Sequence, residues 1–280
     1  MSLKLVYITN NPVIANIAEK SGVDRIFVDM EFIGKELRQA NMDTVKSHHT
    51  FDDVELIKKS ISSAELLVRC NPIHDALEDY CSTEEEIDEI IKRGADIIML
   101  PYFKIPEEVK RFVIAVGGRA KIMLLIETPE AAENIEEILK IDGIDEVYIG
   151  LNDLSLGYGK KFMFELLADG TVEKLAEKIK KYKKPFGFGG MAAMGTGTLP
   201  AECILKEHLR LGSSAVILAR AFCNSEKITD LDEINRIFEK GVFDIRKEEA
   251  KRVTVDEYQG NKAVIKKYVE EIVKKLEGKE

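Results

Sequence analysis

Apolar residues recur along this chain in eight short blocks: LKLVYIT (3–9), RIFVDM (25–30), ELLVRC (65–70), DIIML (96–100), KIMLLIE (121–127), EVYIGL (146–151), PFGFGG (185–190) and SAVILA (214–219). Each block is too short and too uniformly apolar for a surface helix and reads as a buried strand. Between the blocks, apolar positions take helical spacing and are bounded by capping residues. NPVIANIAEKSG opens on Asn-Pro and stops at Gly, and TFDDVELIKKSI opens on Thr-x-x-Asp. STEEEIDEIIKRG runs from Ser82 to Gly94. TPEAAENIEEILKIDG has Thr128 as cap, Pro129 in the first turn and Gly143 past the end. Such residues satisfy the unpaired N–H and C=O groups of helix ends.

Eight strand–helix repeats predict an α/β chain folded as a (β/α)8 TIM barrel. The rival, a doubly wound open sheet, calls for a glycine-rich turn after the first strand. Thr9-Asn10-Asn11-Pro12 stands there instead. Two segments depart from the repeat. Residues 31–50 form a long loop after the second strand, the kind of insertion that is usually functional or disordered. Residues 225–280 follow the eighth strand, with helical patterns near 230–240 and from about 256. The expected division is a barrel catalytic domain over 1–224 and a C-terminal helical extension over 225–280, packed on the barrel or on a neighbouring subunit.

The 280 residues suffice for one large barrel, and 45% hydrophobic with 32% charged residues suit a chain that buries a core. Acidic and basic residues are interleaved around a net charge of −9, without a basic stripe, which argues against a nucleic-acid partner. Cys70, Cys81, Cys203 and Cys223 form no CxxC pair and read as reduced thiols. MSLKLVYITNNP lacks the features of a signal peptide, and no apolar run approaches the ~20 residues that span a bilayer. A cytoplasmic protein without membrane partners is expected.

Catalytic groups of a parallel barrel gather at the C-terminal strand ends. Those positions hold Asp29 and Glu31, Arg69, Glu127, Asp153, and Gly189 with Gly190. Carboxylates at the ends of buried strands are costly unless paired or holding a cation. Glu127 and Asp153 therefore read as ligands of a divalent metal, Mg²⁺ or Mn²⁺, with Co²⁺ as a further option. Two protein ligands leave coordination positions for a 2-oxo acid, whose enolate the metal stabilises as a Lewis acid. Arg69 suits a substrate carboxylate or enolate oxygen, with a structural pairing to Asp29 or Glu31 as the alternative. Backbone N–H groups of Gly150-Leu151-Asn152 lie beside the metal ligand as candidate anion donors. No lysine ends any of the eight strands, which disfavours a Schiff base. His208 reads as a surface or interface residue and His74 as a loop residue. The glycine-rich GFGGMAAMGTGTLP lacks the Lys-Ser/Thr of a phosphate loop. Arg38 and Lys46 are candidates for an acidic or phosphorylated aldehyde portion.

The segments VDMEF, LLVRCNP, GADIIMLP, MLLIETPEAAENIEEIL and GIDEVYIGLNDLSL together resemble the HpcH/HpaI aldolase/citrate lyase family, from about residue 5 to residue 223. The resemblance implies a TIM barrel, usually oligomeric, that cleaves or forms C–C bonds next to an enolate. Pyruvate-using members place their metal ligands at positions matching Glu127 and Asp153. Their substrate-binding arginine matches Arg69, and their acidic residue after strand two matches Asp29, with Glu31 alongside. The function implied is a metal-dependent aldolase acting on pyruvate or a related 2-oxo acid and an aldehyde. The alternatives are a citryl- or malyl-CoA-type lyase and a non-catalytic ligand-binding barrel. One position departs: the family's acid–base histidine is here Phe32. His48 and His49 of the same loop are the candidates to replace it, His49 above His48. A metal-bound water beside Asp29 or Glu31 is a third option.

Overall fold

The computed structural model describes residues 2–35, 49–225, 227–251 and 254–278. Eight parallel strands close into a barrel in chain order: β1 (Lys4–Ile8), β2 (Arg25–Asp29), β3 (Glu65–Arg69), β4 (Ile97–Leu100), β5 (Lys121–Ile126), β6 (Glu146–Ile149), β7 (Phe186–Met191) and β8 (Ala215–Leu218). Closure through β8 pairing with β1 excludes the open sheet. Every strand falls inside or within a residue of an apolar block of the sequence.

Successive side chains of a strand point to opposite sides, so alternate residues enter the barrel. The pairing register sets Phe27, Leu67 and Ile97 side by side. Together with Val6, Met99, Met123, Leu125, Tyr148 and Ala215 they form the interior core. The outward residues meet the surrounding helices in a second, larger core. The same alternation decides what lies at each end. On β2 the inward line is Arg25, Phe27, Asp29; on β3 it is Glu65, Leu67, Arg69. At the N-terminal mouth the fully buried Arg25 forms two hydrogen bonds to Glu146, 2.6 and 2.7 Å, and one to Glu65, 2.8 Å. Lys4 and Lys121 also pair with Glu65. That mouth is closed by charge, and the opposite mouth carries the other polar ends.

The helices start where the capping residues stand. Asn11 caps α1 (Pro12–Lys20). Thr50–Asp53 and Ser82–Glu85 form capping boxes on α2 (Phe51–Ser60) and α3 (Thr83–Lys92). Pro106 opens α4 (Pro106–Val116). The helix expected over 128–143 is divided into α5 (Pro129–Glu133) and α6 (Ile135–Ile138). The break falls at Asn134, which leaves helical geometry (φ −82°, ψ 4°) and donates through Nδ2 to the Lys104 carbonyl, 3.2 Å. After β6 come α7 (Leu151–Gly157), α8 (Glu165–Ala168) and α9 (Thr171–Lys181), and α10 (Ala201–Leu211) precedes β8.

Beyond β8, α11 (Leu231–Glu249) runs further than the sequence pattern near 230–240 suggests, and lies against α1 and α10. Arg246 ties it to the Leu3 carbonyl at 2.7 Å. The last helix, α12 (Val255–Glu277), packs on α8 and α10. Its buried Asn261 donates to the Cys203 carbonyl and to Glu207, both at 3.0 Å, beside buried Ile265 and Val269. The four cysteines are free thiols. Among the described residues, no helix is long and apolar enough to cross a membrane.

Candidate active site

The C-terminal mouth of the barrel opens into a cavity of about 1050 Å³. Its walls include Asp29, Arg69, Glu127, Gly150, Leu151, Asn152, Asp153, Gly189 and Gly190, so residues up to 161 positions apart in the chain meet there. Asp29, Arg69 and Glu127 reach it because each continues the inward line of its strand.

Arg69 lies edge-on to Asp29. Its Nε and Nη2 donate to the two carboxylate oxygens, both at 2.8 Å, while Nη1 pairs with Glu31 at 3.3 Å. Asp29 and Glu31 are both buried. Lys35 joins them, its Nζ 2.7 Å from Asp29 Oδ2 and 3.6 Å from Glu31. Two cations and two anions thus form a charge-balanced quartet. For Asp29 and Arg69 burial opposes the charged form, and the partner charges win. Burial alone would raise the Asp29 carboxyl, but Arg69 and Lys35 hold it well below the usual carboxylate range. Burial would likewise lower the Arg69 guanidinium, but Asp29 and Glu31 keep it raised. Arg69 is therefore both a partner of these carboxylates and a wall of the cavity. A guanidinium has five N–H donors, so the bidentate bond leaves others to face a ligand.

Glu127 is buried and accepts the Tyr102 N–H at 2.9 Å. Tyr102 has a positive φ of 48°, an uncommon backbone state for a residue with a side chain, which turns that N–H toward the site. Gly150 crosses directly over Glu127: a Cβ there would stand 2.9 Å from the Glu127 Cβ and 3.0 Å from Oε2. The Gly150 N–H is committed to the Ile126 carbonyl at 2.9 Å. Gly150 thus supplies space rather than the anion donor expected from sequence. Asp153 stands in the first turn of α7, half-buried on the same wall. Among the described residues, no three His, Cys, Asp or Glu side chains gather as a metal cage.

Phe32 points elsewhere. It is 42% exposed and its ring packs edge-on against Tyr80, centroids 4.9 Å apart, outside the cavity lining. The N–H groups of Phe32 and Ile33 both donate to Asn71 Oδ1, at 2.9 and 3.0 Å. Asn71 is in turn held by the buried Glu86 through Nδ2 at 2.8 Å. This fixes the turn that sends Phe32 outward and Lys35 inward. His49 comes back to the end of β2, where its Nδ1 accepts the Asp29 N–H at 3.0 Å. It is half-buried and not part of the cavity lining. His48, Arg38 and Lys46 lie outside the described residues.

Sequence reasoning missed Lys35, Asn71 and Tyr148. The signal for Lys35 was its place four residues after Glu31, the spacing of an ion pair on one helical turn. Tyr148 reads as one more apolar strand residue. Its buried hydroxyl faces the carbonyls of Phe188 (3.0 Å) and Gly189 and accepts the Ile217 N–H at 2.8 Å. It thereby fills the gap left by the register shift between β7 and β8. Gly187 makes room for it, since a Cβ there would meet the Tyr148 ring at 2.6 Å. His208, read from the sequence as a surface or interface residue, is instead fully buried on α10 and stacked on Phe188, centroids 3.8 Å apart. It shares the apolar face of that helix with Ile204, Leu205 and Leu211.

The sequence model of the HpcH/HpaI aldolase/citrate lyase family matches residues 5–167, more than half of the chain and six of its eight strands. The chain belongs to the HpcH/HpaI aldolase/citrate lyase family. Members of this family are aldolases and lyases acting on small molecules. Among curated relatives, the hydroxypyruvate/pyruvate aldolase of Sagittula stellata is 28% identical over 103 residues, 26% of this chain and 41% of that one. The hydroxypyruvate/pyruvate aldolase of Rhizorhabdus wittichii is 57% identical over 37 residues, 13% and 15% of the two chains. The matches thus span less than half the length of these relatives. The fold extends further. The crystal structure of an HpcH/HpaI aldolase from Desulfitobacterium hafniense aligns over 88% of this chain and 93% of its own, at 18% identity and a TM-score of 0.58. Citrate synthase SbnG aligns over 89% and 95%, at 16% identity and a TM-score of 0.59.

Proposed function

We propose that this HpcH/HpaI family member is a divalent-metal-dependent aldolase that forms or cleaves a C–C bond through the enolate of pyruvate or a related 2-oxo acid, with an aldehyde as the other partner. The observation that carries this reading is the convergence of Glu127, Asp153 and Arg69 on one cavity at the C-terminal mouth. Glu127 and Asp153 would hold the metal, Mg²⁺ or Mn²⁺, as hard oxygen donors. The donor set fits: Gly150 keeps space beside Glu127 Oε2 that a Cβ would fill. When bound, such an ion supplies Lewis-acid charge to a keto oxygen. The remaining work belongs to the chain. Arg69, set by Asp29 and Glu31, presents N–H donors to the carboxylate or developing enolate oxygen of the 2-oxo acid. Leu151, Asn152, Gly189 and Gly190 wall the substrate, and the apolar floor of Leu125, Met99 and Phe27 excludes water beneath it. His49, bonded to the Asp29 N–H, braces the end of β2 that carries this array.

The test is exchange of pyruvate methyl hydrogens with deuterated solvent, followed by NMR with added Mn²⁺. Exchange should be present with metal, vanish with a chelator and return on Mn²⁺ addition. Borohydride added with pyruvate should leave every lysine unmodified. Metal-independent exchange, or a lysine trapped by borohydride, would overturn the reading.

A further inference from the structure

A site for an anionic 2-oxo acid must not repel it. Glu127 and Asp153 stand on the wall of this cavity, and so does Asp29. Glu31 is buried beside Arg69. Arg69 is the guanidinium expected to face the substrate, yet it already answers two carboxylates. Its Nε and Nη2 hold Asp29 at 2.8 Å and its Nη1 pairs with Glu31 at 3.3 Å. One cation between two anions leaves an excess negative charge where a substrate carboxylate would approach.

Lys35 removes that excess. Its ammonium lies 2.7 Å from Asp29 Oδ2 and 3.6 Å from Glu31, its side chain is only 5% exposed, and it lines the same cavity. The Asn71 bonds to the Phe32 and Ile33 N–H groups hold the turn that brings it there. Arg220 and Lys227 also line the cavity, but they follow β8 and are exposed, so water and salt screen them. Buried among its partners, Lys35 is screened much less.

We propose that Lys35 is a positioning residue that sets the charge of this site, leaving Arg69 able to attract a monoanionic 2-oxo acid; this rests on the enolate reading above. Lys35 stays an ammonium throughout, and no bond or proton changes there. It acts through Asp29, Glu31 and Arg69. Its charge works in opposite directions on the two ligands of the site: it favours the anion and disfavours a divalent cation at Glu127 and Asp153. A lysine that merely held the loop would help both or neither.

That opposition supplies the test. Pyruvate affinity is measured by calorimetry at saturating Mn²⁺, and Mn²⁺ affinity by electron paramagnetic resonance without pyruvate. Lys35→Met should weaken pyruvate binding about 10-fold or more, the effect of one unit charge at an effective dielectric constant of about 20. The same change should tighten Mn²⁺ binding. Glu31→Gln keeps the shape and leaves the opposite excess, so it should tighten pyruvate and weaken Mn²⁺. This second variant carries the test if Lys35→Met does not fold. Lys35→Met combined with Glu31→Gln restores the balance and should return both affinities toward wild type. Pyruvate affinity unchanged in Lys35→Met overturns the assignment. So does a loss of both affinities together that Glu31→Gln does not recover, or a Glu31→Gln shift of the wrong sign. Wild-type protein that neither binds pyruvate with Mn²⁺ nor exchanges its methyl protons fails the enolate reading itself. Wild-type protein that does both, beside variants with unaltered affinities, fails the role of Lys35 alone.

Discussion

Arg69 and Asp29 face each other across β3 and β2 in a two-pronged bond, both contacts 2.8 Å, with Glu31 on the remaining Nη. Paired residues at the same register position of adjacent strands make this geometry repeatable, since Asp29 and Arg69 are direct neighbours in the β2–β3 ladder. The consequence is a guanidinium that cannot rotate away from the cavity. Lysine cannot reproduce that fork. Arg69→Lys should lower Mn²⁺-dependent pyruvate exchange about 100-fold or more while the barrel still folds. Arg69→Met should also lose about 3–5 kcal/mol in urea unfolding, because two buried carboxylates lose their main partner. Adding Asp29→Asn should recover part of that loss. An Arg69→Lys protein with wild-type exchange would remove Arg69 from the chemistry.

Gly150 and Glu127 make a second prediction. The missing Cβ at 150 is what lets Glu127 Oε2 stand where it does, 3.0 Å away. Gly150→Ala must displace the carboxylate, since the Cβ would also press on the Glu127 Cβ at 2.9 Å. Mn²⁺ affinity, read by electron paramagnetic resonance, should weaken at least about 10-fold, in the range seen when a ligand's support is disturbed. Circular dichroism should stay unchanged. Unaltered Mn²⁺ binding in this variant would mean that Glu127 is not a ligand.

The barrel and the strand-end part of the cavity wall could be read from the chain because both obey local rules. Strands are short apolar blocks, helices start at Asn11, Thr50 and Ser82, and a carboxylate ending a buried strand has few other uses. What escaped depends on contacts distant in sequence. Arg25 sits inside an apolar block, and its inward direction becomes clear only when Glu146, from four strands on, is placed beside it. The split at Asn134 depends on the Lys104 carbonyl reached by its side chain. Lys35 lies in a stretch without periodicity, and its depth depends on Asn71 holding the turn before it. Phe32 was legible as a departure but not as a direction. The aromatic cluster with Tyr80 that draws it outward is assembled from separate loops.

Tyr148 offers a test of how the site's far wall is held. Its hydroxyl serves the Ile217 N–H and the β7 carbonyls where the β7–β8 ladder slips. Tyr148→Phe leaves that part-buried N–H without its acceptor, at a cost of about 1 kcal/mol. Urea unfolding should register this loss. Amide exchange at Ile217 should accelerate more than at Leu67, which lies in the β2–β3 part of the barrel. Equal protection at both sites would show that the hydroxyl does not hold the ladder.

His208 sets a pH limit on the fold. Burial pushes its imidazole down from the ordinary 6.5 to about 3, and its Nδ1 meets the Ser213 hydroxyl at 2.8 Å. The folded protein keeps this ring neutral against Phe188, while the unfolded chain protonates it near its ordinary value. The stability it contributes is therefore fully present above pH 6.5. It declines as pH falls toward 3, amounting to about 2 kcal/mol lost by pH 5. Between pH 6.5 and 5 the paired carboxylates Glu19 and Glu65, both held near 2, remain ionised and do not contribute to the decline. His208→Phe keeps a flat ring on Phe188 and removes the titrating group. It should be somewhat less stable at pH 7, for want of the Ser213 bond, yet lose much less between pH 7 and 5. Urea midpoints for both proteins at the two pH values decide the matter. A parallel decline in wild type and His208→Phe would place the acid sensitivity in another group.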